Sequence, residues 1–421
     1  MGGKRLMTAV VSGVLVLVMA ACSDDSEPDA EPASTSASSI QSTTAPATEA
    51  PTTSSAPPET SSPSTSAPVT TSAPATTAAT ATTAPERDFS ALGPMVQGVV
   101  DEFELGGAAL VVVDRDDGIV HEEYWGAFDA DRQSFIASSS KMITAGVLMR
   151  LDDQGLLDMD TPIAEQTDWV GNPDLTPAQL VSNTSGLVGL FPELFYEPYV
   201  CQWFPDGDIE DCGATIFETP DDDDLIVPPD TGFAYGGGQW QIAGALAEHV
   251  SGRTWAELID ETYVTPCGVD SLGYNNHFVI TRGLGYPYDI DPTTLELTDN
   301  PNMEAGAYIA APDYGELLLM HLREGRCGDE QVISPEGIEQ LHTDRTITLP
   351  GGDALPGYAM GWWVDRGNGR LNDPGAFGAE PWIDLELGYG AYFVVEADGS
   401  TGATIRSVIE PVIDEVMTAS P

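Results

Sequence analysis

Lysine is almost missing from this chain of 421 residues: only Lys4 and Lys141 occur. Lysine and arginine together number 15, against 67 aspartates and glutamates. Charge of that sign repels polyanions, which excludes nucleic acids and bare anionic membrane surfaces as partners. It suits a protein kept soluble in salty surroundings, where the Debye length shrinks toward about 3 Å at 1 M. Histidine is scarce too. The five residues His121, His249, His277, His321 and His342 form no His-x-x-x-His pair, and no Cys-x-x-Cys occurs, so zinc sites of familiar spacing are excluded. The histidines are read as surface or packing residues, and no metal or other cofactor is expected. There is no Gly-x-Ser-x-Gly turn, which argues against an α/β-hydrolase.

Hydrophobic runs are short. Met7 to Ala21 is apolar and follows Lys4 and Arg5, but is too short to span a bilayer stably. Residues 1–21 are therefore predicted to be an export signal. The run ends Met19-Ala20-Ala21-Cys22, which resembles a bacterial lipoprotein signal and implies cleavage before Cys22 and lipid on it. Residues 22–86 are mostly Ser, Thr, Ala and Pro with scattered acids and no aromatics. Such a segment cannot offset its ordering entropy by burial, so a disordered stalk is predicted, reaching roughly 40–50 Å as a flexible coil. The expected location is the extracytoplasmic face of a bacterial cell membrane, with the membrane met through the anchor at Cys22. Residues 87–421 have ordinary globular composition and form the predicted folded domain, expected as a monomer.

Four cysteines remain beyond Cys22. An even number in an exported domain suggests disulfides. Three connectivities are possible. Cys201 and Cys212 are close in sequence around an acidic loop, which favours Cys201–Cys212 with Cys267–Cys327. The run Asp221-Asp222-Asp223-Asp224 lacks the spaced ligands and turn glycine of a calcium loop and reads as a solvated acidic loop.

Within the domain, Gly107 to Asp114 and Ile119 to Phe128 are β-rich around Asp116-Asp117-Gly118, a hairpin signature. Helices are predicted from Ser138 to Gln154, from Thr176-Pro177 to Val181, from Gln239 to Gly252 and from Ala311-Pro312 to Arg323. Strands return at Tyr358 to Asp365, Gly378 to Ile383 and Ala391 to Ala397, before a helix over Gly402 to Met417. Strands at both ends with helices between predict an α+β fold. One antiparallel sheet is built from the two ends of the domain and flanked by helices, with a mostly helical second lobe.

The single mature lysine lies three residues after a serine in Ser138-Ser139-Ser140-Lys141. A desolvated lysine can lose its proton and act as a base, which arginine cannot. On a helix this spacing brings both side chains to one side. The bland alternative is a surface lysine that follows a serine-rich stretch.

Further segments extend the pattern. Leu180-Val181-Ser182-Asn183-Thr184-Ser185-Gly186 resembles the Leu-Leu-x-His-Thr-Ser-Gly stretch of the serine β-lactamase-like and penicillin-binding-protein-like family, which includes class C β-lactamases, DD-peptidases and related esterases. Tyr235-Gly236-Gly237 resembles its Tyr-x-Asn box, and Gly357-Tyr358-Ala359-Met360-Gly361-Trp362 its Gly-Tyr-Gly-x-Gly-Trp strand. Asp373-Pro374-Gly375-Ala376 lies where the family carries Lys-Thr-Gly or His-x-Gly. The resemblance covers about residues 88 to 415. It implies that Ser138 forms an acyl-enzyme, Lys141 takes the serine proton and Tyr235 passes it onward. The backbone N–H groups of Ser138 and Ala376 would form the oxyanion hole. It also implies a buried Lys141 pocket with no carboxylate close by, since neighbouring acids would raise a pKa that catalysis needs lowered.

Three positions depart from the pattern. Asn183 replaces His and is expected to matter for packing. Gly237 replaces Asn, removing an amide that would bind an acylamido group, and Asp373 replaces the cation that would face a substrate carboxylate. Gly237, Asp373 and Gly375 are the expected substrate-binding positions. The expected function is an esterase-like serine hydrolase acting on a neutral or cationic ester or amide. Weak β-lactamase or DD-peptidase action on peptidoglycan peptides is one alternative; a non-catalytic surface module binding cell-wall-derived or small-molecule ligands is another.

Overall fold

The computed structural model describes residues 87–191, 194–219, 224–278 and 285–419. The predicted signal, Cys22, the stalk and Asp221–Asp223 lie outside the described residues.

Strands β1 (Gly107–Asp114) and β2 (Gly118–Gly126) form the predicted hairpin. Its turn is held by Asp114, whose Oδ1 accepts from the N–H groups of Asp116 and Asp117, and by Gly118 at φ +81°. Strand β3 (Gln133–Phe135) follows, then β4 (Gly273–Tyr274) and β5 (Ala307–Ala310), which make a three-stranded sheet in the order β3-β5-β4. Strands β6 (Arg326–Cys327) and β7 (Glu330–Gln331) form a small ribbon. The last five are β8 (Gly357–Tyr358), β9 (Trp363–Val364), β10 (Leu371–Asn372), β11 (Ala379–Asp384) and β12 (Tyr389–Val395). They join the first hairpin in a seven-stranded antiparallel sheet of order β2-β1-β12-β11-β10-β9-β8. The sheet is thus built from both ends of the domain, as the sequence predicted.

Strand β1 is buried along nearly its whole length because both faces of the sheet are covered. Alternate residues divide between two cores. Ala108, Leu110 and Val112 pack with Leu92, Val96 and Val100 of the Leu92–Glu102 helix and Ile405, Ile409 and Ile413 of the Gly399–Ala419 helix. Ala109, Val111 and Val113 join the larger core, which contains Leu317, Leu318 and Leu319 of the Ala311–Leu322 helix and extends through the helical lobe. Gly315 on that helix lets it approach β1, since a Cβ there would lie 2.8 Å from Val111 Cγ1.

Tyr358 to Asp365, predicted as one strand, is two short strands separated by a bend. Gly361 at the bend has φ +78°, outside the strand region. The bend lets the backbone press against the start of the lysine helix: a Cβ on Gly361 would lie 2.8 Å from the Lys141 carbonyl oxygen.

Both disulfides, Cys201–Cys212 and Cys267–Cys327, have the predicted pairing. Disulfides of this kind belong to oxidising, extracytoplasmic settings. No helix among the described residues is long and apolar enough to cross a membrane.

Candidate active site

Ser138 does not head an α-helix, as predicted, but lies in a 3₁₀ turn over Ala137–Ser140; Lys141 is the first residue of the α-helix Lys141–Asp153. The tighter turn explains the spacing better than a regular helix does, because at three residues per turn side chains at i and i+3 eclipse. Ala137 enters the turn with φ +46°, a strained conformation for a residue with a Cβ. Ser139 and Ser140 are buried, whereas Ser138 keeps partial exposure. Their hydroxyls donate to the carbonyls of Asp373 and Ala137, at 2.6 Å each, so they anchor the turn and leave Ser138 for chemistry.

Lys141 is fully buried. Its Nζ donates to Ser138 Oγ at 3.1 Å and to the Glu304 carbonyl at 2.9 Å. The ammonium also sits 4.7 Å from the centre of the Tyr235 ring and 5.6 Å from that of Trp240. Tyr235 thus lies beside Lys141, and the Ser138 hydroxyl is among the groups that act on its phenol. Phe233, Tyr358 and Trp363 surround the tyrosine, with the Trp363 ring 4.9 Å from it. Burial raises the phenol's pKa, and the Lys141 charge works against that rise.

Asn183 braces this tyrosine. Its Oδ1 accepts from Gly236 N, Gln239 Nε2 and Trp240 Nε1 at 2.9–3.0 Å. The expected packing role is therefore specific: one buried amide holds the loop carrying Tyr235 to the following helix, Gly238–Ser251.

The electrostatics overturn one expectation. Lys141 was to lie far from carboxylates, yet Glu304 Oε2 is 3.3 Å from its Nζ, with 2% of the glutamate exposed. Burial alone would push the ammonium's pKa down; Tyr235, Glu304 and Asp373 outweigh it and hold the pKa above the ordinary lysine value. Burial raises the Glu304 carboxyl, opposed by the Lys141 charge and by Gly237 N–H, which donates to Oε2 at 3.0 Å. Nothing local in the sequence marked Glu304. Its only trace was the pair of glycines opposite: a Cβ on Gly236 would lie 2.5 Å from Glu304 Oε2.

Two expected substrate positions point elsewhere. Asp373 is fully buried, and its Oδ2 accepts from Met142 N at 3.2 Å, at the start of the lysine helix. The helix start offers it an N–H, so Asp373 is turned beneath the site and does not face a substrate group. Burial keeps its pKa well above the usual carboxylate range, despite Lys141 and the Met142 N–H. Gly237 is buried at φ +84°, and a Cβ there would lie 2.6 Å from the Val188 carbonyl oxygen; it faces Glu304 and has no room for an amide side chain. Gly375 packs on the nucleophile turn, where a Cβ would meet Ile136 O at 2.0 Å. Ala376, one residue on, is exposed at the tip of that loop.

Among the described residues no cluster of three or more His, Cys, Asp or Glu side chains could hold a metal ion. His321 Nδ1 and His342 Nε2 pair at 3.0 Å in the core, and His277 lies between Phe135 and Phe278.

Comparison with known proteins accords with this geometry. Penicillin-binding protein 4 of Amycolatopsis lactamdurans is 27% identical over 264 residues, 57% of this chain; the chain spans 64% of that relative's length. Esterase/beta-lactamase LipL of Mycobacterium tuberculosis is 32% identical over 123 residues, 25% of this chain and 28% of LipL. A putative beta-lactamase from Bacteroides dorei shares the fold at a TM-score of 0.63 and 23% identity, covering 79% of this chain and 99% of that one. The sequence profile of the Beta-lactamase family matches residues 94–408, and the chain belongs to that family of serine hydrolases.

Proposed function

We propose that this chain is a cell-surface esterase-like hydrolase, acylated at Ser138, that cleaves neutral or cationic esters or amides. The carrying observation is the 3.1 Å contact between Ser138 Oγ and a fully buried Lys141, with Tyr235 beside both. A serine so placed attacks an acyl carbon while the lysine amine takes its proton, and Tyr235 delivers a proton to the leaving group. The N–H groups of Ser138 and Ala376 stabilise the oxyanion; losing one such donor costs about 3–4 kcal/mol of barrier. The substrate class follows from charge. Lys141 is the sole cation among the residues building the site, and Glu304 and Asp373 lie behind it. With no second cation among those residues to receive it, the carboxylate carried by penicillins and by a peptide's C-terminus is disfavoured. Phe233 and Trp363, both partly exposed, offer an apolar wall to the acyl or alcohol part. A lipid at Cys22 and a stalk over residues 22–86 would tether the domain outside the membrane.

The similarity to a penicillin-binding protein favours a second reading, in which peptidoglycan peptides are the substrate. One experiment separates these readings from a non-catalytic binding module. A fluorophosphonate probe is applied to wild type, Ser138→Ala and Lys141→Ala, with intact-mass detection, beside turnover of short p-nitrophenyl esters and nitrocefin. The expected result is a single adduct at Ser138, lost in both variants, with ester turnover exceeding nitrocefin turnover. Nitrocefin as the better substrate favours the peptidoglycan reading; a folded wild type that takes no label and turns over neither substrate removes the catalytic reading.

A further inference from the structure

Resting on that acyl-enzyme reading, we infer that Glu304 is a proton-holding residue that takes the Lys141 proton and frees the amine for Ser138. Glu304 supplies the only carboxylate within 4.0 Å of Lys141 Nζ among the described residues. It grips the lysine twice, through Oε2 at 3.3 Å and through its own carbonyl at 2.9 Å. Gly237 N–H fixes Oε2 at 3.0 Å, while the buried Oε1 has no hydrogen-bond partner among the described residues and is open to a proton. The glycines at 236 and 237 and the glutamate act as one unit, because side chains at those positions would displace the carboxylate or the backbone beside it. The other titratable groups that feel Glu304 are Tyr235 and Tyr358, while Asp373 acts on the same Lys141. Asp373 competes poorly as acceptor because, although its Oδ1 is likewise without a partner among the described residues, its carboxylate lies beyond 4.0 Å of Lys141 Nζ.

The transfer is balanced. An N–H bond of the Lys141 ammonium breaks, an O–H bond forms on Glu304, and nitrogen keeps the electron pair. The pair passes from opposite charges to two neutral groups, with no change in total charge, and the low dielectric of the buried site favours neutral partners. The amine then removes the Ser138 proton as the serine oxygen bonds to the acyl carbon and the carbonyl electron pair moves to oxygen. This resolves the conflict between a lysine held charged in the resting site and a reaction that needs its lone pair.

The test is the rate of Ser138 labelling by the fluorophosphonate from pH 6 to 10, in full-length wild type, Glu304→Gln and Glu304→Asp. Selective 15N labelling of lysine gives two side-chain signals, Lys4 and Lys141, and reports whether the pocket is formed in each variant. Wild type is expected to be flat between about pH 6.5 and 9. Glu304→Gln should lose about 100-fold at pH 7, the scale of one general-base contribution, and recover about tenfold per pH unit as the lysine deprotonates to solvent. Glu304→Asp should restore the flat profile at a lower rate. A Gln variant that labels as fast as wild type, or faster, overturns the inference while leaving the proposed hydrolase intact. So does a wild-type profile that itself climbs tenfold per pH unit, a result that needs no variant to fold. A wild type that takes no label removes both.

Discussion

Replacing Lys141 by Met tests the electrostatics without any substrate. Methionine approximates the lysine stem in length and volume, so the main loss is the charge that compensates Glu304 in a site closed to water. Removing one partner of a buried ion pair costs about 3–5 kcal/mol, because the other charge stays behind uncompensated. That cost must depend on pH, with a definite sign. Without the ammonium, burial leaves the folded Glu304 pKa far above its unfolded value. The folded state then binds the extra proton, so its stability is retained below the unfolded pKa and lost as pH rises through the folded one. The penalty should be about 1 kcal/mol or less near pH 5 and grow by up to about 1.4 kcal/mol per pH unit toward pH 8. At roughly 2.1 cal/mol/K per residue for a domain of roughly 330 residues, the full penalty lowers Tm by about 4–7 °C. Thermal unfolding of wild type and variant at pH 5, 6, 7 and 8 reads this directly. A constant offset across the series would refute the reasoning and mean that only packing was lost. Adding Glu304→Gln to the methionine variant should recover at least half of the loss at pH 8.

Two other perturbations have defined outcomes. Asn183→Ala strips Gly236 N–H and Trp240 Nε1–H of their acceptor, each worth about 1–3 kcal/mol when orphaned, while Gln239 Nε2 keeps the carbonyls of Ala234 and Gly236; urea unfolding should show a loss of about 3 kcal/mol, and Ser138 labelling should slow because Tyr235 is no longer held. His277 is buried with neither ring nitrogen hydrogen-bonded among the described residues, and burial lowers its pKa to about 3. Its folded pKa is depressed, so stability present above pH 6.5 is lost as pH falls; His277→Leu should remove about 2 kcal/mol of the decline between pH 6.5 and 4.5, seen as a flatter Tm against pH.

What the sequence made legible was local. The first hairpin announced itself through two β-rich runs around an Asp-Asp-Gly turn, and the segment after Ser138 through its helical period. The nucleophile turn was misread as α-helix because a three-residue spacing fits both helix types, and only the fold shows which one is used. The Tyr358–Asp365 strand was overextended because its apolar residues concealed Gly361, whose positive φ is imposed by contact with the lysine helix. Glu304 was invisible for a deeper reason. It lies 163 residues from Lys141, and the chain around β5 brings them together through long-range pairing that no local pattern encodes. Gly237 was read only as the loss of a substrate-binding amide, whereas with Gly236 it makes room for a carboxylate. Asp373 was assigned to the cleft by its place in a motif, but it turns inward, where a helix start offers it an N–H.

The pairing of β1 with β12 bears on how the protein is made. Ala108 stands opposite Val395, so the sheet closes only when chain segments roughly 280 residues apart have both emerged, against a closure entropy that grows with the logarithm of that separation. The loop that abuts Ser138 hangs between β10 and β11, among the last pieces to arrive. A partly synthesised chain therefore carries its serine and lysine well before the loop that packs on them has been made.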